Sequence, residues 1–420
     1  MSKKAEKVED FWIFKNDFLS EEKHLVLFDN VQFIYELVLA ELELRALGVE
    51  FEVTNGLREF RFLKEPENFE TLRKRLAYFK VIKGQYTDYF YIIKKNRTKS
   101  VNQYLTHWIY PYKGKFHPQM IRALLNIIGL NKGDTVLDPF VGSGTTAVEA
   151  QLLGINCIGV DISPLCVLQS KVKTESIKVL SEILEWKDKI LQKVGVGIFN
   201  NNKSLDIAIE NIPNEKVRDF YLMAKLVAVS DNARRKKDFV KSFKKNLDLM
   251  ILSVKDYLDV VKELNLELGK TDIRLGDARK LPLDDNCVDG IITSPPYSIA
   301  IDYVSNDAHA LKALGYDLNE LREKFIGVRG NGYKRINFYN EDMKKSLEEM
   351  HRVLKSGKYA VIIIGNATYQ GREIKTVEFI ISYAEKIGFK LVNNIDKIIF
   401  GLYNVIQKEN ILIFKKVENK

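Results

Sequence analysis

The stretch most suited to chemistry is Ser294-Pro295-Pro296-Tyr297, which directly follows the apolar run VDGIIT at 288–293. The apolar run predicts a buried β-strand. Proline has no N–H and does not fit inside a sheet ladder, so the two prolines predict a rigid corner at the end of that strand. The corner would present a serine hydroxyl, backbone carbonyls and an aromatic ring. A tight edge turn with a surface aromatic is the purely structural alternative.

A second stretch, DPFVGSGTT at 138–146, joins a predicted strand, DTVLD, to a predicted helix. Gly142 and Gly144 allow a tight turn and a close approach of the backbone to a ligand, at which the helix N-terminus points. Asp161 follows Gly142 by nineteen residues and ends the next predicted strand, where a carboxylate can accept hydrogen bonds from both ribose hydroxyls. The third fingerprint glycine and the P-loop lysine are missing. The spacing therefore predicts a nucleoside-containing ligand without an obvious phosphate site.

Together, DPFVGSGTT and TSPPY resemble the S-adenosylmethionine-dependent amino-methyltransferases that modify exocyclic amines of bases in DNA. The segment THWIYPYKGKFHPQMIRALL resembles the helix-opening segment that covers the methionine end of this cofactor. The segment GDARKLP resembles the acidic loop beside the adenine. The resemblance covers roughly 105–170 and 270–415. Serine at the first position of SPPY favours cytosine N4 as the target, whereas aspartate or asparagine favours adenine N6.

The resemblance implies a role for each motif residue. The Ser294 hydroxyl and the Pro295 carbonyl would accept the N–H groups of the target amine, Pro296 would complete the corner, and Tyr297 would stack on a flipped base. The implied cofactor contacts are His117, Pro118, Asp138, Pro139, Phe140, Gly142, Ser143, Gly144, Thr145, Thr146, Asp161, Ile162, Ser163, Asp277 and Ala278.

Three of these residues have alternative roles that the sequence leaves open. Asp277 would hydrogen-bond the adenine amino group or simply cap its loop. His117 would contact the cofactor or cap the helix that Pro118 opens. Asp138 would anchor the glycine loop or bind the amino group of the methionine end. The remaining histidines show no metal-ligand spacing, so no metal site is expected.

Two basic clusters are candidates for DNA contact, although each is equally compatible with a solvated surface. The first is Arg234, Arg235, Lys236 and Lys237. The second lies in IGVRGNGYKR at 326–335, which predicts a flexible loop carrying Arg329, Lys334 and Arg335.

The order of elements predicts an α/β fold in which strands and helices alternate from about residue 117. Seven candidate strands are present, and the resemblance implies a Rossmann-like sheet with strand order 3-2-1-4-5-7-6. We expect an N-terminal α+β domain over 1–100, methyltransferase parts over 101–174 and 268–420, and a helical insertion over 175–267. The glycine motif precedes SPPY, the reverse of many relatives. The target-recognition region is therefore left open between the N-terminal domain and the insertion.

The N-terminal hundred residues give three further expectations. A helix should begin at Ser20 and place Leu27, Val31, Ile34, Val38 and Leu42 on its apolar face. VEFEV and REFRFL should form a hairpin. NFETLRKRLAYFKVIKG should be a second helix and YFYII a short strand.

Composition sets the broad class. The net charge of +9 and a pI near 9.0 favour a polyanionic partner, although a lysine-rich solvated surface explains them equally well. The resemblance implies that this partner is double-stranded DNA. Three cysteines without a CxxC pair, and no apolar stretch long enough for a bilayer, predict a cytoplasmic protein without membrane contact. A cognate restriction endonuclease would be a natural partner. Adenine N6 methylation, RNA as substrate, and a catalytically silent binding subunit are the alternatives.

Overall fold

The computed structural model describes residues 24–98, 100–194, 203–297, 301–400 and 406–417. The N-terminal segment forms a five-stranded sheet of order β2-β3-β1-β4-β5 with three helices. Every strand pair in this sheet is antiparallel. Its elements are β1 His24–Leu27, α1 Ile34–Ala46, β2 Phe51–Thr54, β3 Glu59–Phe62, α2 Phe69–Arg75, β4 Phe79–Ile82, β5 Gln85–Tyr86 and α3 Asp88–Lys94.

The predicted first helix is wrong at its start and in its buried face. Residues 20–23 lie outside the described residues, and the following four residues form β1, which pairs with β3 and β4. In α1 the exposed fraction of Ile34 is 81% and that of Val38 is 37%, whereas Tyr35, Leu39 and Leu44 are buried. Apolar residues occur on more than one side of this helix. Tertiary packing, and not the periodicity of the apolar residues, therefore determined which face of α1 is buried.

The hairpin predicted for VEFEV and REFRFL is confirmed by the antiparallel pair β2–β3. The second predicted helix ends early, at Arg75, and its last part instead forms β4. The strand predicted for YFYII is wrong, because these residues lie in α3. Aromatic and β-branched runs are ambiguous between helix and strand, and here pairing of β4 with β1 decided the outcome.

The alternating region begins with helix α4 and two strands. Pro118 opens α4 and Pro164 opens α6, each at a first-turn position where the missing N–H costs no hydrogen bond. The elements are α4 Pro118–Ile127, β6 Thr135–Asp138, α5 Thr145–Leu152, β7 Asn156–Asp161 and α6 Pro164–Glu175.

Among the described residues between the two halves of the alternating part, all regular secondary structure is helical. It has its own apolar core, which includes Phe220, Leu247 and Met250 and extends to the 304–328 region through Val304 and Phe325. The helices are α7 Leu180–Leu191, α8 Lys203–Glu210, α9 Glu215–Arg235 and α10 Phe239–Glu263.

The alternation then resumes, with a group of short helices after β9. The elements are β8 Thr271–Leu275, β9 Val288–Thr293, α11 Tyr303–Asn306, α12 Ala308–Ala313, α13 Leu318–Lys324, α14 Gly332–Val353, β10 Leu354–Gly365, β11 Ala367–Tyr369, β12 Arg372–Ile374, α15 Thr376–Lys386, β13 Phe389–Phe400 and β14 Ile406–Lys416. The small β11–β12 hairpin was not predicted.

The main sheet has the order β8-β7-β6-β9-β10-β14-β13. Only β14 runs antiparallel to its neighbours β10 and β13. Counted along the chain, these seven strands follow the order 3-2-1-4-5-7-6, so the predicted topology is confirmed. Parallel strands of this kind bring their carboxyl ends, and the loops after them, to one edge of the sheet.

The N-terminal segment packs directly on the alternating region. The carboxylate of buried Glu43 accepts from Asn126 Nδ2 of α4 at 2.7 Å, and Arg75 Nε donates to Asn126 Oδ1 at 2.9 Å. Residues on both sides of position 100 share one apolar cluster. None of the described helices combines the length and apolarity that crossing a bilayer requires.

Candidate active site

The two predicted motifs lie side by side at one edge of the sheet. Strands β6 and β9 are parallel neighbours, with Leu137 opposite Ile291. The glycine turn follows β6 and the proline corner follows β9. A 2.6 Å hydrogen bond from Thr293 Oγ1 to Asp138 Oδ1 joins the last residues of the two strands. The proline corner and the glycine turn therefore lie at the carboxyl ends of adjacent strands, as transfer between groups held by these two loops requires.

Asp138 anchors the glycine loop. Besides Thr293, its carboxylate accepts from Phe140 N at 3.2 Å and from Thr146 Oγ1 at 2.8 Å. Burial raises the pKa of this carboxyl to about 6. Both oxygens are engaged by the protein, and the side chain does not line the cavity described below. The geometry favours the loop-anchoring role over a contact with the methionine end.

The glycine turn needs its glycines. Gly142 and Gly144 have φ of +49° and +75°, a region that side chains with a Cβ rarely adopt. A Cβ on Gly144 would lie 2.7 Å from Ser170 Oγ of α6. Lys173 Nζ, itself buried, donates to the Ser143 carbonyl at 2.7 Å and holds the turn from beneath.

Asp161 presents a carboxylate next to that turn. Its Oδ2 accepts from Gly142 N at 2.9 Å and its Oδ1 from Ser163 N at 2.8 Å. Burial raises its pKa to about 6. Each oxygen keeps a second lone pair, and the residue lines the cavity, so a vicinal diol can still be bound.

These loops surround a cavity of about 880 Å³, including the space at its mouth. Among its lining residues are three aspartates and six aromatic residues, and no Lys, Arg or His of the described chain lines it. The predicted residues in its wall are Pro139, Phe140, Gly142, Ser143, Asp161, Ile162, Ser163, Asp277, Ala278, Ser294, Pro296 and Tyr297. The aromatic faces and the Asp161 carboxylate suit a cationic ligand, and the lack of a basic side chain among the described lining residues disfavours a phosphate.

The other predicted cofactor residues do not line the cavity. His117 Nε2 is 2.8 Å from Asn102 Nδ2, and burial lowers the pKa of His117 to about 4, so the ring is neutral. It makes no side-chain cap to α4, and the preceding Phe116 lines the cavity instead. The remaining residues that support the wall without lining it are Pro118, Asp138, Gly144, Thr145 and Thr146.

Asp277 lines the cavity, but its carboxylate is engaged by a neighbour. Arg279 donates to it from Nε at 2.9 Å and from Nη2 at 2.6 Å, and Arg279 N adds a bond of 2.9 Å. These contacts favour the loop-capping role. The following Ala278 provides an apolar wall beside it.

The proline corner presents Ser294, Pro296 and Tyr297 to the cavity, whereas Pro295 is buried behind them. The Tyr297 hydroxyl donates to Glu409 Oε1, and Glu409 Oε2 accepts from the buried Lys397 Nζ at 2.5 Å. Burial raises the pKa of Tyr297 far above its usual value, so the phenol is neutral. The ring face, and not the hydroxyl, is what this tyrosine offers to a ligand.

Sequence reasoning missed several residues that line the cavity, among them Tyr112, Tyr303 and Asp307. The two tyrosine rings are inclined by 22° with centroids 6.5 Å apart. Asp307 Oδ1 accepts from Tyr110 Oη at 3.0 Å. Tyr112 lies in the segment THWIYPYKGKFHPQMIRALL, so its aromatic side chain could have been predicted to contact the cofactor. The others lie between two predicted elements and carry no motif.

The basic candidates make mostly intramolecular contacts. Arg234 donates to the Pro111 and Asn306 carbonyls at 2.9 and 2.8 Å and to Asp307 at 2.8 Å. Both Arg235 and Lys237 pair with Asp231. Lys236 ends α9 with a φ of 55° and is exposed.

The second basic cluster is only partly a loop. Helix α14 begins at Gly332, so Lys334 and Arg335 lie in its first turn, contrary to the flexible loop that was predicted. Arg335 Nε donates to the Gly327 carbonyl at 2.5 Å. Arg329 pairs with Asp342 at 3.1 Å and lies over the Phe338 ring. Lys334 is exposed.

A Rossmann-like sheet of this order, with a glycine turn and a proline corner at adjacent strand ends, defines the class of base amino-methyltransferases. The family described as DNA methylase matches residues 2–171 and 288–420. The chain therefore belongs to the DNA methylase family. A second description, RMKL-like methyltransferase domain, matches residues 109–237.

Curated relatives agree with this assignment. The Type II methyltransferase M.BsoBI of Geobacillus stearothermophilus is 30% identical over 280 residues, which cover 53% of this chain and 55% of that protein. The Type II methyltransferase M.MjaII of Methanocaldococcus jannaschii is 40% identical over 123 residues, covering 28% and 22%. A tRNA (guanine(10)-N2)-dimethyltransferase of Methanothermobacter thermautotrophicus is 34% identical over 71 residues, covering 17% and 20%. The chain thus spans about half the length of the first of these relatives and less of the others.

The cofactor is S-adenosylmethionine. The cavity fits it by charge, because the sulfonium and ammonium of this molecule outweigh its one carboxylate and leave a net positive charge. Asp161 would hold the ribose diol, the backbone of the glycine turn would hold the methionine end, and Ala278 would lie beside the adenine.

Proposed function

We propose that the protein transfers a methyl group from S-adenosylmethionine to the exocyclic N4 amine of cytosine in DNA. The observation that supports this most directly is the 2.6 Å bond between Thr293 and Asp138, which fixes the proline corner beside the glycine turn. An amine held at one loop then faces a methyl donor held at the other.

The chemical difficulty is the target amine, whose lone pair is delocalised into the ring. The cofactor supplies an electrophilic methyl group on a sulfonium sulfur. The Ser294 hydroxyl and the Pro295 carbonyl act as acceptors for the two N–H groups, which favours a pyramidal nitrogen with its lone pair directed at the methyl. Pro296 keeps the corner free of a competing N–H donor. The proton leaves after transfer, so no strong general base is needed.

Tyr297 holds the base after it has left the duplex. Enzymes that modify a base inside a helix extrude it and stack it on an aromatic face. Because its hydroxyl is tied to Glu409, the ring has a fixed orientation and presents a face to the cavity. Stacking of this kind contributes about 1–3 kcal/mol per base.

The substrate is double-stranded DNA, and cytosine N4 is the favoured position because serine opens the tetrapeptide. Membership of the DNA methylase family and the net charge of +9 support a polyanionic substrate. The Type II methyltransferases among the relatives support a role in restriction–modification beside a cognate endonuclease. Adenine N6 in DNA is the alternative target.

The test is to incubate duplex DNA with the protein and a methyl-labelled cofactor and to identify the labelled nucleoside by mass spectrometry. We expect N4-methylcytosine. Label found only in N6-methyladenine would refute the choice of base but not the chemistry. Tyr297→Ala is the control variant, because it should keep cofactor binding and transfer the methyl group more slowly. Such a result also excludes a catalytically silent binding subunit.

A second candidate is methylation of a base amine in RNA. The match to a tRNA (guanine(10)-N2)-dimethyltransferase over 71 residues favours it as the runner-up. The same assay with structured tRNA in place of duplex DNA distinguishes the two. Transfer to tRNA with none to DNA would overturn the DNA proposal.

A further inference from the structure

The β11–β12 hairpin leaves the sheet beside the proline corner. In the parallel pair β9–β10, Ile362 lies opposite Thr293, and β10 continues past that point to Gly365. Gly365 is itself paired with Glu409, the residue that accepts from the Tyr297 hydroxyl. The hairpin begins two residues later, at Ala367, about 16 Å along the strand direction from the end of β9.

The hairpin is also braced against the neighbouring helix. The Tyr369 and Tyr333 rings make an edge contact with centroids 5.4 Å apart, and a Cβ on Gly332 would lie 3.4 Å from Tyr369 Oη. Gly327 links helix α14 to the proline corner, since Arg335 of α14 donates to the carbonyl of Gly327 and a Cβ on Gly327 would lie 3.1 Å from the Tyr297 carbonyl. The hairpin is therefore held in a fixed relation to the site.

Its tip is a two-residue turn that exposes a glutamine and an arginine. Tyr369 pairs with Arg372, and between them Gln370 and Gly371 have φ of 49° and 75°, as in a type I′ turn. A positive φ is uncommon for glutamine and costs local stability. Gln370, Gly371 and Arg372 are exposed. The Gln370 side chain makes one long contact, from its Nε2 to Tyr369 Oη at 3.4 Å, and within the described residues the fold does not use its carbonyl oxygen or the Arg372 guanidinium.

The surrounding charges are not balanced within the chain. The guanidinium of Arg372 and the ammonium groups of Lys334 and Lys375 have no hydrogen-bond or ion-pair partner among the described residues, and all three side chains are exposed. Two acids share this surface, Glu373, which accepts from Asn366 Nδ2 at 2.9 Å, and Glu378. The surface is therefore only mildly positive. Its distinguishing feature is the type of side chain at the tip.

We propose that the β11–β12 hairpin enters the major groove of duplex DNA beside the target base and that Gln370 and Arg372 read base edges there. The major groove is about 12 Å wide and admits a two-stranded ribbon, and arginine to guanine and glutamine to adenine are the bidentate pairings it offers. Lys334 and Lys375 contact the flanking phosphates. The inference depends on the proposed function, because it requires double-stranded DNA as substrate.

This assignment differs from the two recognition candidates that the sequence suggested, the N-terminal domain and the helical insertion. Arg234 of the insertion cluster donates to three acceptors of the protein, one of which is the cavity residue Asp307. The hairpin instead carries Arg372, which has no partner within the part of the chain that the structure describes and lies on the side of the sheet edge where the proline corner would receive the flipped base.

The experiment first finds the methylated sequence by single-molecule sequencing of DNA from a methylation-free host that expresses the full chain. A duplex containing that site is then used to measure kcat/KM for the protein and for Arg372→Ala, Gln370→Ala and Lys375→Ala. The matched controls are Arg45→Ala, an exposed arginine of α1, and Lys386→Ala at the far end of α15. Cofactor affinity and thermal unfolding are measured for every variant to confirm an intact fold and cofactor site.

We expect Arg372→Ala to lower kcat/KM roughly 5- to 150-fold, the value of one bidentate base contact, and to relax the methylated sequence at one position. Lys375→Ala should weaken DNA binding on all sequences and reduce its salt dependence by about one ion. The controls should differ from the unmodified protein by less than twofold.

Two results overturn the inference and are distinguishable. If the unmodified protein methylates duplex DNA while the hairpin variants keep its rate and its sequence preference, the hairpin does not read DNA and the proposed function still holds. If the unmodified protein methylates only RNA, or binds the cofactor and methylates neither nucleic acid, the proposed function fails and the hairpin assignment fails with it.

Discussion

Replacing Asp161 with asparagine tests whether this residue binds the ribose of the cofactor. The carboxylate accepts from Gly142 N at 2.9 Å and from Ser163 N at 2.8 Å, and the remaining lone pair on each oxygen is available to one hydroxyl of the diol. Asparagine keeps one acceptor oxygen and replaces the other with an NH₂ group, which cannot accept. At least one hydrogen bond to a charged acceptor is lost.

The magnitude follows from that count. A hydrogen bond to a charged group contributes about 1.5–3 kcal/mol, so the dissociation constant of S-adenosylmethionine should rise about 10- to 150-fold. Removal of a buried charge stabilises the folded state, whereas loss of one acceptor for a backbone N–H destabilises it. We therefore expect the free energy of unfolding to change by less than about 2 kcal/mol, so that the variant remains folded.

The dependence on pH provides a second measurement. The pKa of Asp161 is raised to about 6 by burial, and only the ionised form accepts from both hydroxyls. Cofactor affinity should therefore fall as the pH is lowered from 7.5 through 6, and this fall should be smaller in Asp161→Asn. Isothermal titration calorimetry across this range gives both quantities.

The control is Asp272→Asn, on the neighbouring strand β8 but outside the cavity wall, which should leave cofactor affinity unchanged. If Asp161→Asn binds S-adenosylmethionine within twofold of the unmodified protein at pH 7.5, the carboxylate does not hold the ribose. The interpretation of the glycine turn as a nucleoside site would then be wrong.

Three further predictions concern the corner and the turn. Tyr297→Phe keeps the ring and should retain kcat within about tenfold. Tyr297→Ala should lower kcat/KM about 5- to 150-fold through loss of stacking, as measured by transfer of labelled methyl. Equal losses in both variants would show that the hydroxyl matters instead. Gly144→Ala should cost at least about 2 kcal/mol in urea denaturation, because a positive φ and a contact at 2.7 Å add to each other. Gly48→Ala is its control, since Gly48 has the same φ of +75° in open space, and an equal cost in both would mean that only the backbone is strained. Thr293→Val should cost about 1–3 kcal/mol at pH 7.5 by removing a donor to the buried Asp138 carboxylate. Because the folded pKa of Asp138, about 6, lies above its unfolded value of 3.8, the folded state binds the proton more tightly and this carboxyl favours folding only at low pH. That contribution is lost as the pH rises from about 4 to 6. The cost of Thr293→Val should therefore be smaller at pH 4.5 than at pH 7.5. A cost independent of pH would show that the hydrogen bond from Thr293 does not stabilise the ionised Asp138 carboxylate.

The sequence by itself determined the two loops at the carboxyl edge of the main sheet. These features depend on local properties that a short stretch carries alone, namely the left-handed backbone that Gly142 and Gly144 allow and the missing donors of Pro295 and Pro296. Strand order followed from the resemblance that those loops carry. The cofactor wall was therefore predictable wherever a motif provided it.

Only the tertiary structure decided what surrounds the motifs. Tyr297 is oriented by a residue 112 positions away, and Arg234 is bonded to the Pro111 carbonyl 123 positions away. Tyr112 and Tyr303, which both line the cavity, come from segments that are still farther apart in the chain. The buried face of α1 was likewise chosen by its packing partners. Such contacts depend on which segments the sheet brings together, and no local pattern in the chain specifies them.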